Sequence, residues 1–226
     1  MKRCDALEGL LRILWSESGG AAELMDHVFT WLQANPNWLV ENDRPYLLHA
    51  LRMGRPSMAG FAILASRLEQ ALAIRPCTDP GTLLERLHAD HLDSGRRAVQ
   101  NAMQALSRSA PLYLVTLSMS STVLKFLQAA REMIAELHVL ASNPGGEGRE
   151  WAKRARTFLG KVILHEDEDL MDATASSNVG ILGVDTVFSD GAISNKVRSV
   201  DLATALQTKD AFVIIEEREG AVCNPS

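Results

Sequence analysis

After about residue 110 the chain stops repeating with the period of a helix and begins to alternate. Short apolar runs at 112–117, 137–141, 161–165, 179–184 and 211–216 are separated by helical patterns at 121–135, 147–159, 168–175 and 195–207. Runs that are apolar along their whole length, rather than at every second residue, belong to strands buried on both faces. Strand–helix alternation of this kind specifies a parallel sheet with helices on both sides. In such sheets ligands bind outside the carboxyl ends of the strands, so the turns that follow the strands are where chemistry is expected.

The first half reads as helix throughout. Leu7, Leu10, Leu11 and Leu14 share one face of a first helix, and Leu24, Val28, Trp31 and Leu32 share one face of a second over 21–34. Asn35-Pro36-Asn37 breaks the chain. A short helix follows at 45–52, then a Gly54-Arg55-Pro56-Ser57 turn, an apolar helix at 57–74 that reads as buried, and a long amphipathic helix from Pro80 to about Ser107. The boundary falls near Ala110-Pro111, which predicts a helical lobe at 1–110 and an α/β ligand-binding lobe at 111–226.

Bulk properties exclude several classes. The net charge is −5, with the excess of acid confined to the second half, so nucleic acid and anionic membranes are not expected partners. The three cysteines, Cys4, Cys77 and Cys223, are far apart and form no CxxC pair, which fits a reducing compartment and neither a disulfide framework nor a zinc site. Asp5 and Glu8 interrupt the N-terminal apolar stretch, which therefore reads as helix rather than leader, and no run is long enough to span a bilayer. A cytoplasmic protein without a metal or cofactor is expected.

The turns after the strands carry the candidate chemistry. The first, Ser118-Met119-Ser120-Ser121-Thr122, presents small hydroxyls where unpaired helix N–H groups attract anions. Its plainer reading is a serine cap. The second, Ser142 to Arg149, is glycine-rich and holds Glu147, which could point back toward a ligand or lie in a surface loop. The third, His165-Glu166-Asp167-Glu168-Asp169, matches no defined calcium or zinc spacing, and acids at a helix start explain it better than a metal does. The fourth leads into GVDTVFSDGAISNKV. There Asp185 is expected at the end of a buried strand, with Asn195 and Lys196 following at a helix start. Carboxylate, amide and ammonium together suit a sugar phosphate. The alternative is a hairpin-like turn at Ser189-Asp190-Gly191 with incidental polar neighbours.

RMGRPSMAG (52–60), LVTLSMSSTVLKFL (114–127), SNPGGEGRE (142–150) and GVDTVFSDGAISNKV (183–197) stand in one order along the chain. In these stretches the sequence resembles the initiation factor 2B alpha/beta/delta family, which includes methylthioribose-1-phosphate isomerase and ribose-1,5-bisphosphate isomerase. The resemblance implies an all-helical N-terminal lobe, a Rossmann-like parallel-sheet lobe with helices on both faces, a ligand between them, and a homodimer formed through the α/β lobe. In the isomerase branch a cysteine after the first strand and the aspartate of Gly-x-Asp rearrange a sugar 1-phosphate. Those positions are Ser118 and Asp185 here. A serine hydroxyl is a far poorer acid than a thiol. The family's arginine before Pro144 is Asn143, the isomerases' N-terminal arginine corresponds to Met53 between Arg52 and Arg55, and Glu147 stands where the methylthioribose branch has glutamine. The family's chains also continue past a fifth strand, so part of the usual sheet edge and dimer surface is expected to be missing here.

The reading favoured by these departures is a regulatory, non-catalytic protein that binds a sugar phosphate or nucleotide. Ser120, Ser121, Thr122 and Lys196 would hold phosphate, Asp185 and Asn195 the sugar, Glu147 would face the ligand, and Arg55 would close over the anion. Two alternatives stay open: an isomerase on a ribose-1-phosphate-type substrate with Asp185 and Ser118 as catalytic residues, and an assembly subunit with a vestigial pocket.

Overall fold

The computed structural model describes residues 2–16, 20–40, 42–74, 79–117, 120–188, 190–206, 210–213 and 222–223. The chain divides into two compact units. One comprises Met1–Ser94, Asp185–Ser194 and Arg218–Ser226, and the other Gly95–Val184 and Asn195–Glu217.

In the first unit, apolar residues at helical spacing fix the helices α1 (Lys2–Leu14), α2 (Ala21–Ala34), α3 (Arg44–Met53) and α4 (Ala59–Ile74), with the N-terminal part of α5 (Pro80–Leu106). One face of each is buried: Leu10 and Leu14, then Leu24, Val28 and Leu32, then Leu47 and Leu51, then Phe61 and Leu68, then Leu83 and Leu84. The face of α1 read from the sequence carries that helix's contribution. The helix read as buried on most sides is α4, and it buries one face only: Ser66, Glu69 and Gln70 are exposed, and Ile74 is 69% exposed.

The first unit also holds a small sheet that the sequence reading did not foresee. Strand β5 (Thr186–Phe188) pairs antiparallel with β6 (Ile193–Ser194) and parallel with β8 (Val222–Cys223). Gly191, at φ 85°, takes the left-handed conformation the turn between β5 and β6 needs, and Asp190 Oδ1 accepts the N–H of Ala192 at 2.9 Å. Thr186 fastens the hairpin to the start of α4: its Oγ1 accepts from the N–H of Ala59 and donates to the carbonyl of Ser57, both at 3.3 Å.

The second unit is built on five parallel strands. β1 (Leu112–Thr116), β2 (Ile134–Leu140), β3 (Val162–His165), β4 (Val179–Leu182) and β7 (Asp210–Val213) lie in the order β3-β2-β1-β4-β7. β1 is central because both crossover series begin from it. The chain moves outward through β2 and β3, then returns to the other side of β1 for β4 and β7. Right-handed crossovers put the first pair of connecting helices on one face and the second pair on the other. Accordingly α6 (Ser121–Ala129) and α7 (Glu147–Ala155) cover Leu112, Leu114, Leu137, Val139, Val179 and Ile181 with Phe126, Leu127 and Trp151. α8 (Leu170–Ala175) and α9 (Ser199–Ala205) cover Val115, Leu117, Leu140 and Leu182 with Ala173, Leu202 and Leu206. The expected α/β class, a parallel sheet with helices on both faces, is the observed one.

Boundaries differ where polar residues interrupt the pattern. The helix expected over 121–135 ends at Ala129, and β2 begins at Ile134, not 137. Glu136 and His138 hid the start of that strand. Both are buried, Glu136 Oε1 lies 3.1 Å from His138 Nε2, and His138 Nδ1 lies 2.8 Å from His165 Nε2. Burial pushes the His138 imidazole below its ordinary value, against the pull of Glu136. The helix expected from 195 begins only at Ser199, and Asn195–Arg198 is a turn in which Arg198 stands at φ 72°.

The end of β2 packs so closely on α7 that only a glycine fits at 148. A Cβ there would lie 1.8 Å from the carbonyl oxygen of Leu140. Gly148→Ala must therefore push α7 off the sheet and is expected to destabilise the protein by about 3 kcal/mol, at the upper end for overpacked cores. Urea unfolding of the two proteins measures it.

Candidate functional site

In a parallel sheet every turn that follows a strand lies at one edge, and here that edge gathers the residues after β1, β2, β3 and β4. The strand order reverses between β1 and β4. The two segments leaving those strands approach closely: a Cβ on Gly183 would meet Ser120 Oγ at 2.5 Å. A glycine after β4 is thus what allows the β1 turn to sit beside it. Ser120 caps α6, its Oγ accepting the N–H of Val123 at 3.3 Å and its carbonyl the N–H of Leu124 at 2.9 Å. The next hydroxyl, Ser121 Oγ, is shut off from solvent and has no hydrogen-bond partner among the described residues. Thr122 is 4% exposed and is one of the buried residues of α6. Ser118 lies outside the described residues.

The turn after β2 is held by a carboxylate whose role the sequence reading missed. Asp167, 5% exposed, accepts the N–H of Ser142 at 2.8 Å and of Asn143 at 2.7 Å on its two oxygens. The acidic run after β3 is therefore more than a helix start. Its middle residue ties two turns together, while Glu166 pairs with Arg149 at 2.6 Å. A buried acid two residues past the end of β3 was the available signal, but neighbouring acids disguised it as a solvated stretch. Ser142 (φ 62°) and Gly146 (φ 64°) supply the left-handed backbone of the turn.

Glu147 opens α7 and folds back over its own loop toward Gly145. Its carboxylate forms an ion pair with the Lys196 ammonium. The Lys196 side chain is 23% exposed and that of Glu147 37%, and burial pushes the lysine below its ordinary value. Asn195 Nδ2 donates to Ser199 Oγ at 3.0 Å, Ser199 Oγ donates to the carbonyl of Lys196 at 2.7 Å, and Arg198 donates to the carbonyl of Asp167. The 195–198 turn is thereby pinned to the carboxyl edge of the sheet by Lys196 and Arg198 together.

Asp185 is placed differently from the expectation. β4 ends at Leu182, and Asp185 opens the β5–β6 hairpin of the first unit, its N–H donating to the carbonyl of Ser194 at 3.0 Å. The hairpin reading of 189–191 therefore describes this segment, although Ser189 itself lies outside the described residues. Burial raises the Asp185 carboxyl above the usual carboxylate range, and the Arg55 guanidinium pulls it the other way. Arg55 also donates to the carbonyls of Leu14, at 3.3 Å, and Ser16. Arg52 is taken up by Glu69 at 2.6 Å, and Met53 is 60% exposed. Among the described residues no cluster of His, Cys, Asp and Glu has metal-binding geometry, and no helix is long and apolar enough to cross a membrane.

A model of the Initiation factor 2 subunit family matches residues 82–215, more than half the chain. The chain belongs to that family. No curated protein sequence matches it significantly. Among solved structures it is similar to translation initiation factor eIF-2B from Pyrococcus horikoshii OT3, with TM-score 0.75, 21% identity, and coverage of 97% of this chain and 83% of that one. It is similar to the tetrameric eIF2B-beta2-delta2 complex from C. thermophilum, with TM-score 0.71, 15% identity, and coverage of 100% and 82%. It is also similar to 5-methylthioribose 1-phosphate isomerase from Pyrococcus horikoshii OT3, with TM-score 0.53, 13% identity, and coverage of 93% and 62%. At these identities the likenesses establish the shared fold.

The Asp185 environment has a pH signature. A carboxyl whose folded value is raised contributes stability that is present below its unfolded value of about 4 and is lost as pH rises through the folded value. Asp185→Asn cannot ionise. It is expected to raise Tm relative to the parent at pH 7, and the difference should close as both are melted toward pH 4.

Proposed function

We propose that this member of the Initiation factor 2 subunit family binds a sugar phosphate or nucleotide and acts as a regulatory, non-catalytic protein in the cytoplasm. The observation that carries the reading is the reversal of strand order between β1 and β4, where Gly183 gives way to Ser120 and the buried Ser121 Oγ has no partner among the described residues. Helix N–H groups and small hydroxyls at a strand-order reversal suit a phosphate. Lys196, a half-buried cation at the same edge, suits its charge. Ser120, Ser121, Thr122, Glu147, Asn195 and Lys196 are the proposed ligand residues. Serine at 118, where the isomerase branch of the family has its cysteine, favours binding over chemistry. The tetrameric complex formed by relatives supports self-association, proposed here as a homodimer through the α/β unit.

Thermal melting with ribose phosphates and nucleoside monophosphates at millimolar concentration tests this reading. A specific ligand raises Tm by mass action in the parent and much less in Lys196→Met. No shift with any of them would leave only an assembly role.

One observation favours a second reading. Asp185 is a carboxyl whose ionisation burial has made harder, which is the condition an acid–base catalyst needs near neutral pH. A relative named for isomerising 5-methylthioribose 1-phosphate shares the fold. Incubation with ribose 1-phosphate and analysis for the ketose decides it: the non-catalytic reading expects no product, and turnover that Asp185→Asn abolishes would establish the isomerase.

A further inference from the structure

Lys196 does not wait with an open ammonium; Glu147 already holds it. The two partners are not equally bound to this arrangement. A partly buried ammonium without a counter-charge is costly, so Lys196 needs an anion beside it. Glu147 has somewhere else to go. Its side chain is the more exposed of the two, and as the first residue of α7 it is favoured by the helix N-terminus with or without the lysine. An arriving anion can therefore take Lys196 while Glu147 swings toward water, whereas Lys196 cannot be given up without a replacement.

We infer that Glu147 is a built-in counter-anion which the ligand's phosphate displaces from Lys196, and that the site consequently selects a phosphate ester carrying a hydroxyl beside the phosphate. An ionised carboxylate only accepts hydrogen bonds. A bare phosphate placed on Lys196 meets Glu147 as a repelling neighbour. A sugar phosphate offers Glu147 a neighbouring hydroxyl as a donor, which restores the contact that the lysine gave up. Glu147 is thus both the competitor that weakens simple anions and the acceptor that favours sugar phosphates. This inference rests on the proposed phosphate role of Lys196.

Calorimetric titration of inorganic phosphate, ribose 1-phosphate and 2-deoxyribose 1-phosphate tests it, using the full chain and the Glu147→Ala, Glu147→Gln and Lys196→Met variants, each confirmed folded by its melting curve. Removing the competitor is expected to tighten inorganic phosphate about fivefold in both Glu147 variants, the scale of a partly exposed ion pair. The parent is expected to prefer ribose 1-phosphate over its 2-deoxy analogue roughly tenfold, and Glu147→Ala to lose most of that preference. In the Lys196→Met background Glu147→Ala should gain nothing. Phosphate binding that is unchanged or weaker in both Glu147 variants, while still dependent on Lys196, would overturn the counter-anion role alone. The same hydroxyl preference in the parent and in Glu147→Ala would overturn the selectivity. Binding indifferent to Lys196→Met would overturn the underlying phosphate reading itself.

Discussion

The approach of Ser120 to Gly183 is the contact on which the proposed site of the second unit depends. A parallel sheet must bury both faces, so its connections cross above and below it, and the strand order has to reverse once. Here it reverses at β1 and β4. At that reversal the helices leave in opposite directions, and the Ser120 side chain packs against the backbone of Gly183. A side chain at 183 would collide with Ser120. The hydroxyls of the β1 turn are thereby kept at the mouth of the sheet, where the first N–H groups of α6 also point.

A second constraint works on the same edge from the other side of β1. The β2 turn uses left-handed backbone at Ser142 and Gly146, a conformation that does not hold itself in place. Asp167 holds it by accepting two consecutive N–H groups, and Arg198 in turn grips the Asp167 carbonyl. Segments after β2, β3 and β4 are thus one hydrogen-bonded network. Glu147 and Lys196 ride on it, so the position of that ion pair is set by buried groups rather than by the flexibility of two long side chains.

Helical spacing made most of the first unit legible. The 21–34 pattern coincides with α2, and the face carrying Leu10 and Leu14 is the buried one, because a helix that packs on one side writes its period into the sequence. The parallel sheet was legible for the corresponding reason: strands buried on both faces are apolar throughout. What stayed hidden was polar burial. Glu136 and His138 lie buried beside each other inside β2 and so broke the apolar run that marks a strand. Asp167 looked like one solvated acid among several, though its partners are backbone N–H groups that no side-chain pattern records. Asp185 was read as the tip of a central strand because Gly-x-Asp follows β4 so closely. The chain instead leaves the sheet at Leu182 and starts a hairpin whose strands are too short to show a period.

The cation named for phosphate binding is already balanced within its own unit, where Glu147 faces Lys196. A protein whose partly buried ammonium relied on a ligand for its counter-charge would be destabilised whenever the ligand was scarce, because desolvation of a lone charge costs several kcal/mol. Internal pairing removes that dependence, and the same pairing sets a threshold for binding. A ligand gains only the difference between its own contacts and those it replaces, so affinity here is a matter of exchange rather than of adding charge to an empty cradle. In the proposed reading, weak binding of simple anions and discrimination among richer ones have a single origin.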